Sequence, residues 1–122
     1  MKTASFFTYK GEGRICIARY APRNTPAGFR MFQPLAPGSW FNSVSEKRYI
    51  ELYKTEILGV LNPQQTWEHL HTLAGGAEPF LLCWEKPGEF CHRRLIAEWF
   101  EENLGHKVEE YSPEKSNNFS LF

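Results

Sequence analysis

The run Pro79-Phe80-Leu81-Leu82-Cys83-Trp84 constrains this chain more than any other stretch. Its residues are apolar without alternation, are bounded by turn formers and are too few for a helix, so they predict a strand buried on both faces. An amphipathic segment follows from about Cys91 to Leu104, with Leu95, Ile96, Trp99 and Phe100 on one side and Glu98, Glu101 and Glu102 on the other. Gly105 supplies the stop. Strand, turn and helix in that order are half of a strand-helix-strand unit. The expected fold is therefore α/β, a single three-layer domain with a small, mixed or mostly parallel sheet flanked by helices.

The remaining segments fit that frame. Ser43-Val-Ser-Glu46 has capping-box spacing, and Ile50, Tyr53 and Ile57 follow at helical steps to about Leu61. Asn62-Pro63-Gln64-Gln65 caps and starts a second helix, which runs through Trp67, Leu70 and Leu73 to Gly75-Gly76. Near the start, Thr3 to Tyr9 and Arg14 to Tyr20 read as strands around Lys10-Gly11-Glu12-Gly13. So short a link predicts no parallel crossover, which makes the two antiparallel if they are neighbours. Lys107-Val108-Glu109 is expected to form a last short strand. Residues 1–110 are assigned to the domain and 111–122 to a flexible tail.

Lys+Arg and Asp+Glu number 14 each, so the net charge is zero, yet the balance is local. Residues 1–48 carry eight bases and two acids, 8 − 2 = +6, leaving 6 − 12 = −6 for the rest. A uniformly basic nucleic-acid binder is excluded, and an anion-facing region on an acidic body is expected. Much of the positive charge lies in or beside the proline-broken segment Ala21 to Asn42, which interleaves Arg23 and Arg30 with Phe29, Phe32, Trp40 and Phe41. Such a loop either pins its aromatics to the core or offers bases and phosphates a surface. No apolar run is long enough for a membrane helix, and three cysteines at these spacings match neither a disulfide framework nor a paired zinc module. A reducing cytoplasm is expected.

The chemistry concentrates where the buried strand ends and the helix begins. Cys83-Trp84-Glu85 closes the one and Cys91-His92-Arg93-Arg94 opens the other, a junction at which α/β proteins gather ligands. A thiol in the first helical turn beside a histidine and two guanidinium groups should ionise readily, making Cys91 a candidate nucleophile or redox thiol. Glu85, close to an apolar crevice, is a candidate general acid or base, with His92 and Cys83 completing the catalytic set. Arg93 and Arg94 oppose the helix dipole and suggest capture of an anion, and Arg19, Arg23 and Arg30 extend the expected substrate-binding set. Packing of Cys83 in the core and surface pairing of the arginines are the competing readings. Zinc held by Cys83, Cys91, His92 and Glu85 is the weaker alternative, because adjacent Cys91 and His92 seldom aim at one ion. No metal or other cofactor is expected.

Leu81-Leu82-Cys83-Trp84-Glu85-Lys86 followed by Cys91-His92-Arg93 resembles the C-x-E, C-H-R signature of the small bacterial and phage family called domain of unknown function 488. The likeness extends to Ser5-Phe6-Phe7, Cys16-Ile17-Ala18-Arg19, Leu35-Ala36-Pro37, Tyr49, Tyr53 and Val108-Glu109-Glu110. What the resemblance implies is enzymatic use of the Cys, Glu and His-Arg residues, without a named reaction. The expected function is thus a small thiol-dependent enzyme acting on an anionic substrate, a nucleotide or nucleic acid. A different class is expected from the end of the chain, where Asn118-Phe119-Ser120-Leu121-Phe122 resembles the bacterial sliding-clamp-binding peptide. That likeness implies a non-catalytic protein docking on the replication clamp, unless Phe119, Leu121 and Phe122 fold back on their own core.

Overall fold

The computed structural model describes residues 1–85 and 89–113. Five parallel strands, β1 (Lys2–Ser5), β2 (Arg14–Cys16), β3 (Arg30–Met31), β4 (Phe80–Cys83) and β5 (Glu109–Glu110), form one sheet in the order β3-β2-β4-β1-β5. Strand β4 is central, with Phe80, Leu81, Leu82 and Cys83 all buried, as an unbroken apolar run requires.

Helix α3 (His92–Leu104) lies over the row of Thr3, Leu81 and Ile15, because Arg94 reaches Thr3 on that face. Helix α2 (Pro63–Ala74) packs beside it through Trp67 and Phe100, whose ring centroids are 5.0 Å apart. The alternate row is covered by connecting segments. Tyr9 stacks on Phe80 at 3.7 Å, and the Arg14 guanidinium is held by the carbonyls of Pro26 and Ala27. Among the described residues no helix is long and apolar enough to cross a membrane. The clamp-like peptide Asn118 to Phe122 lies outside the described residues.

Local signals account for the helix bounds. Asn62 accepts from the Gln65 amide, Pro63 opens α2, and Gly75 closes it with φ 64°. The helix expected from Ser43 to Leu61 is α-helical only as α1 (Glu46–Leu52). It widens into a π turn over Tyr53–Ile57 and tightens into a 3₁₀ turn over Leu58–Val60. Thr55 bonds back to the Glu51 and Leu52 carbonyls there, while buried Tyr53 donates to the Leu35 carbonyl at 2.6 Å.

The first two strands correct the sequence expectation. They are shorter than Thr3 to Tyr9 and Arg14 to Tyr20, they are parallel, and β4 lies between them. A four-residue strand rises only about 13 Å, and residues 6–13 can span about twice that. The link therefore returns without a helix. Both Thr8 and Tyr9 donate to the Ser5 carbonyl as the chain turns, and Gly13 (φ 79°) accepts from the Phe80 amide as it re-enters the sheet. A Cβ at Gly13 would run into the Glu78 carbonyl, so this approach needs glycine.

Candidate functional site

The carboxyl ends of β2 and β4 and the start of α3 enclose a cavity of about 520 Å³. Strand β2 leads into Ala18, Arg19 and Tyr20, β4 brings Cys83, Trp84 and Glu85, and α3 opens with Cys91 and His92. Glu46 and Tyr49 of α1, with Phe41 and Phe90, complete much of the wall. An open parallel sheet presents its loops at this edge, which is why the junction read from sequence is also where the cavity lies.

Cys83 and Cys91 are joined by a disulfide, and Cys16 is the free cysteine. This corrects the expectation that these cysteines form no disulfide framework, and the expected Cys91 thiolate, since a bonded sulfur has no proton to lose. The sulfurs meet because β4 ends, and α3 begins, on the same face of the sheet. Cys16 is buried under the connecting segments, and burial pushes its thiol up, only partly opposed by the Ala18 backbone.

His92 is buried, and the loss of solvation lowers its pKa to about 4, with Arg93 adding to the fall against the bond to Ile17. The ring is therefore neutral at pH 7. Nε2 donates to the Ile17 carbonyl at 2.7 Å, which leaves the Nδ1 lone pair 3.6 Å from Cys91 Sγ. Tyr53 sits against the ring at 5.4 Å. Burial raises the pKa of Tyr49, with the Glu85 charge adding to it, so Tyr49 meets the cavity as a neutral phenol.

The arginines expected to bind substrate part company. Only Arg19 lines this cavity. Its Nη1 donates to the Pro37 carbonyl at 3.0 Å and its guanidinium lies 5.7 Å from the Phe41 ring, while Nε is buried with no partner among the described residues. Arg93 is 1% exposed and faces the interior: it grips Glu110 through Nε at 3.0 Å and Nη2 at 2.9 Å, and Nη1 donates to Cys83 Sγ at 2.9 Å. Arg94 donates to Thr3 and to the Val108 carbonyl. Arg23 lines a separate groove with Phe7, Lys10 and Trp84, and Arg30 is exposed on β3.

Among the described residues, the anion-facing region expected from the charge split is a cavity with one arginine and two carboxylates, Glu46 and Glu85, in a largely aromatic wall. Glu46 and Tyr49 escaped the sequence reading. Their signal was weak, because Glu46 looked complete as the acid of a capping box and Tyr49 entered only through the family resemblance. The group that lies close together is Cys83, Cys91 and His92, whose donor atoms all fall within 4.8 Å of one another.

A family model described as DUF488-N3a, the active DUF488-N3 subclade, matches residues 8–104. No curated protein and no solved structure matches the chain. The matched span takes in every residue named on the cavity wall and leaves out β1 and β5.

Proposed function

The chain belongs to the domain of unknown function 488 family, in its active DUF488-N3 subclade, and on that premise we propose that it is an enzyme acting on a substrate with a planar base and a single phosphate group, of the nucleoside monophosphate class. One observation carries the reading: the cysteine pair, His92, Glu85 and Arg19 share one cavity with an aromatic wall.

Each wall component has a separate task. Tyr20, Phe41, Trp84 and Phe90, all partly exposed, offer faces on which a base stacks. Arg19, whose buried Nε has no partner among the described residues, supplies the charge-assisted bond to the anion. Among the described residues a single arginine is opposed by Glu46 and Glu85, which suits one anionic group and disfavours a triphosphate. Glu85, exposed at the rim, is the acid or base, and the sulfur-imidazole group below it is the reactive centre.

Calorimetric titration of the full chain with nucleoside 5′-mono- and triphosphates tests this, with mass spectrometry of the recovered ligand reading any conversion. A monophosphate should bind more tightly than its triphosphate, and Arg19→Ala should weaken it by about tenfold or more. Glu85→Gln should keep binding while slowing conversion by about a hundredfold. The reading fails if no nucleotide binds, if Arg19→Ala binds as well as the parent, or if Glu85→Gln turns over unimpaired.

A further inference from the structure

We infer that Cys83, Cys91 and His92 form a three-ligand zinc centre that opens on the cavity, an inference that rests on the proposed function only for what the metal would do there. The donor set is two sulfurs and one imidazole nitrogen, which suits zinc in a tetrahedral site. All three residues are buried, all three line the cavity, and their donor atoms lie within 4.8 Å of one another.

The sulfur-to-nitrogen distance agrees with one ion. With Zn–S about 2.3 Å and Zn–N about 2.0 Å, tetrahedral angles set an S···N edge of about 3.5 Å. The Cys91 Sγ to His92 Nδ1 separation is 3.6 Å. Adjacent residues converge here because Cys91 is still extended (φ −152°, ψ 144°) while His92 begins α3, so the backbone changes direction between them. The Cα atoms of Cys83 and Cys91 are 7.5 Å apart. That exceeds the roughly 4.4–6.8 Å of most disulfides and suits two sulfurs that each reach toward a shared ion.

The surroundings are those a metal site needs. His92 donates Nε2–H to the Ile17 carbonyl, which orients the ring and leaves Nδ1 to ligate. Arg93 donates to Cys83 Sγ, as a thiolate ligand prefers, and its own charge is cancelled by Glu110. Two thiolates and one Zn²⁺ are neutral together, so the buried cluster carries no net charge. Three protein ligands leave a fourth position for water, and Glu85 on the same wall is the group to accept its proton.

The disulfide and the zinc site are alternative states of the same sulfurs. An external dithiol reduces the S–S bond, becoming a disulfide itself and delivering two electrons and two protons. Zn²⁺ then displaces both thiol protons to solvent.

Metal analysis of the full chain, reduced with a dithiol, incubated with zinc and passed through a desalting column, tests the inference. One zinc per chain is expected. Cobalt in its place should show a thiolate-to-cobalt charge-transfer band. Cys83→Ser and Cys91→Ser should each weaken zinc binding by more than about tenfold, with circular dichroism confirming the fold. Cys16→Ala, at the cysteine outside the cluster, should keep the metal. The inference is overturned if the reduced parent retains no zinc, if cobalt gives no thiolate band, or if Cys16→Ala loses the metal as Cys83→Ser does. Nucleotide titration of the same samples separates the two claims. Binding without zinc overturns the metal centre alone, and zinc without nucleotide binding overturns the substrate reading alone.

Discussion

Replacing Glu110 by Gln removes one charge from a pair that is almost wholly inside the protein and changes the side chain's shape very little. Arg93 is 1% exposed, and the Glu110 side chain is 21% exposed. The carboxylate takes Arg93 Nε at 3.0 Å on Oε1 and Nη2 at 2.9 Å on Oε2, and Thr3 Oγ1 donates to Oε1 at 2.6 Å. Loss of its charge strands a guanidinium beside Cys83 in a region water barely reaches. Removing one partner of a buried pair costs about 3–5 kcal/mol. Glu110 keeps some solvent contact and Gln still offers an acceptor, so about 2–3 kcal/mol is expected, below that range. Urea unfolding followed by tryptophan fluorescence should move its midpoint down by about 1–2 M. The double variant Arg93→Met with Glu110→Gln should recover most of the loss, because the stranded charge is gone. A shift within about 0.5 kcal/mol of the parent, as for an exposed pair, refutes the structural assignment of Arg93. Tighter nucleotide binding by Glu110→Gln would also refute it, since it would mean that the carboxylate had been competing with a substrate for Arg93.

Gly13→Ala should destabilise by more than about 2 kcal/mol, since φ is 79° and the new methyl meets the Glu78 carbonyl; an unchanged urea midpoint contradicts the short parallel crossover. Alkaline stability should follow Tyr53, whose pKa is raised well above 10 by burial, with Tyr49 adding to it. The folded state then holds a proton that the unfolded chain releases near pH 10, so stability is full below that value and falls as pH rises through it. In Tyr53→Phe the fall should be shallower, and an identical pH profile denies Tyr53 this role. In the oxidised protein, thiol titration should find no reactive sulfhydryl in the native state and one, Cys16, after unfolding without reductant. Three after unfolding would mean that Cys83 and Cys91 are not bonded.

The parts of the fold legible in the sequence are those encoded locally. Asn62, Pro63 and Gly75 bracket α2, and the apolar run marks β4, because caps, prolines and burial act over a few residues. Strand partners are encoded only by what packs where. Tyr9 looks like strand but leaves β1 to stack on Phe80, and nothing near Gly13 announces that β4 will slip between β1 and β2. The site divides the same way. That Cys83, Glu85, Cys91 and His92 meet at the β4–α3 junction followed from their order along the chain, whereas the joining of Cys83 to Cys91 depended on where two elements end in space. Arg93 shows the limit most clearly. Its place at a helix start suggested an anion on a substrate, whereas its partner is Glu110 of the same chain, seventeen residues on.

Backbone amide shifts of the reduced, zinc-loaded full chain, recorded by two-dimensional NMR during titration with a nucleoside monophosphate, test most directly that the cavity between β2, β4 and α3 is the working site. The largest changes should fall at Ala18 to Tyr20, Cys83 to Glu85, and Cys91 and His92, and should vanish in Arg19→Ala. Changes centred instead on Arg23 and Arg30, or around Arg94 and Lys107, would place the ligand elsewhere and contradict the account.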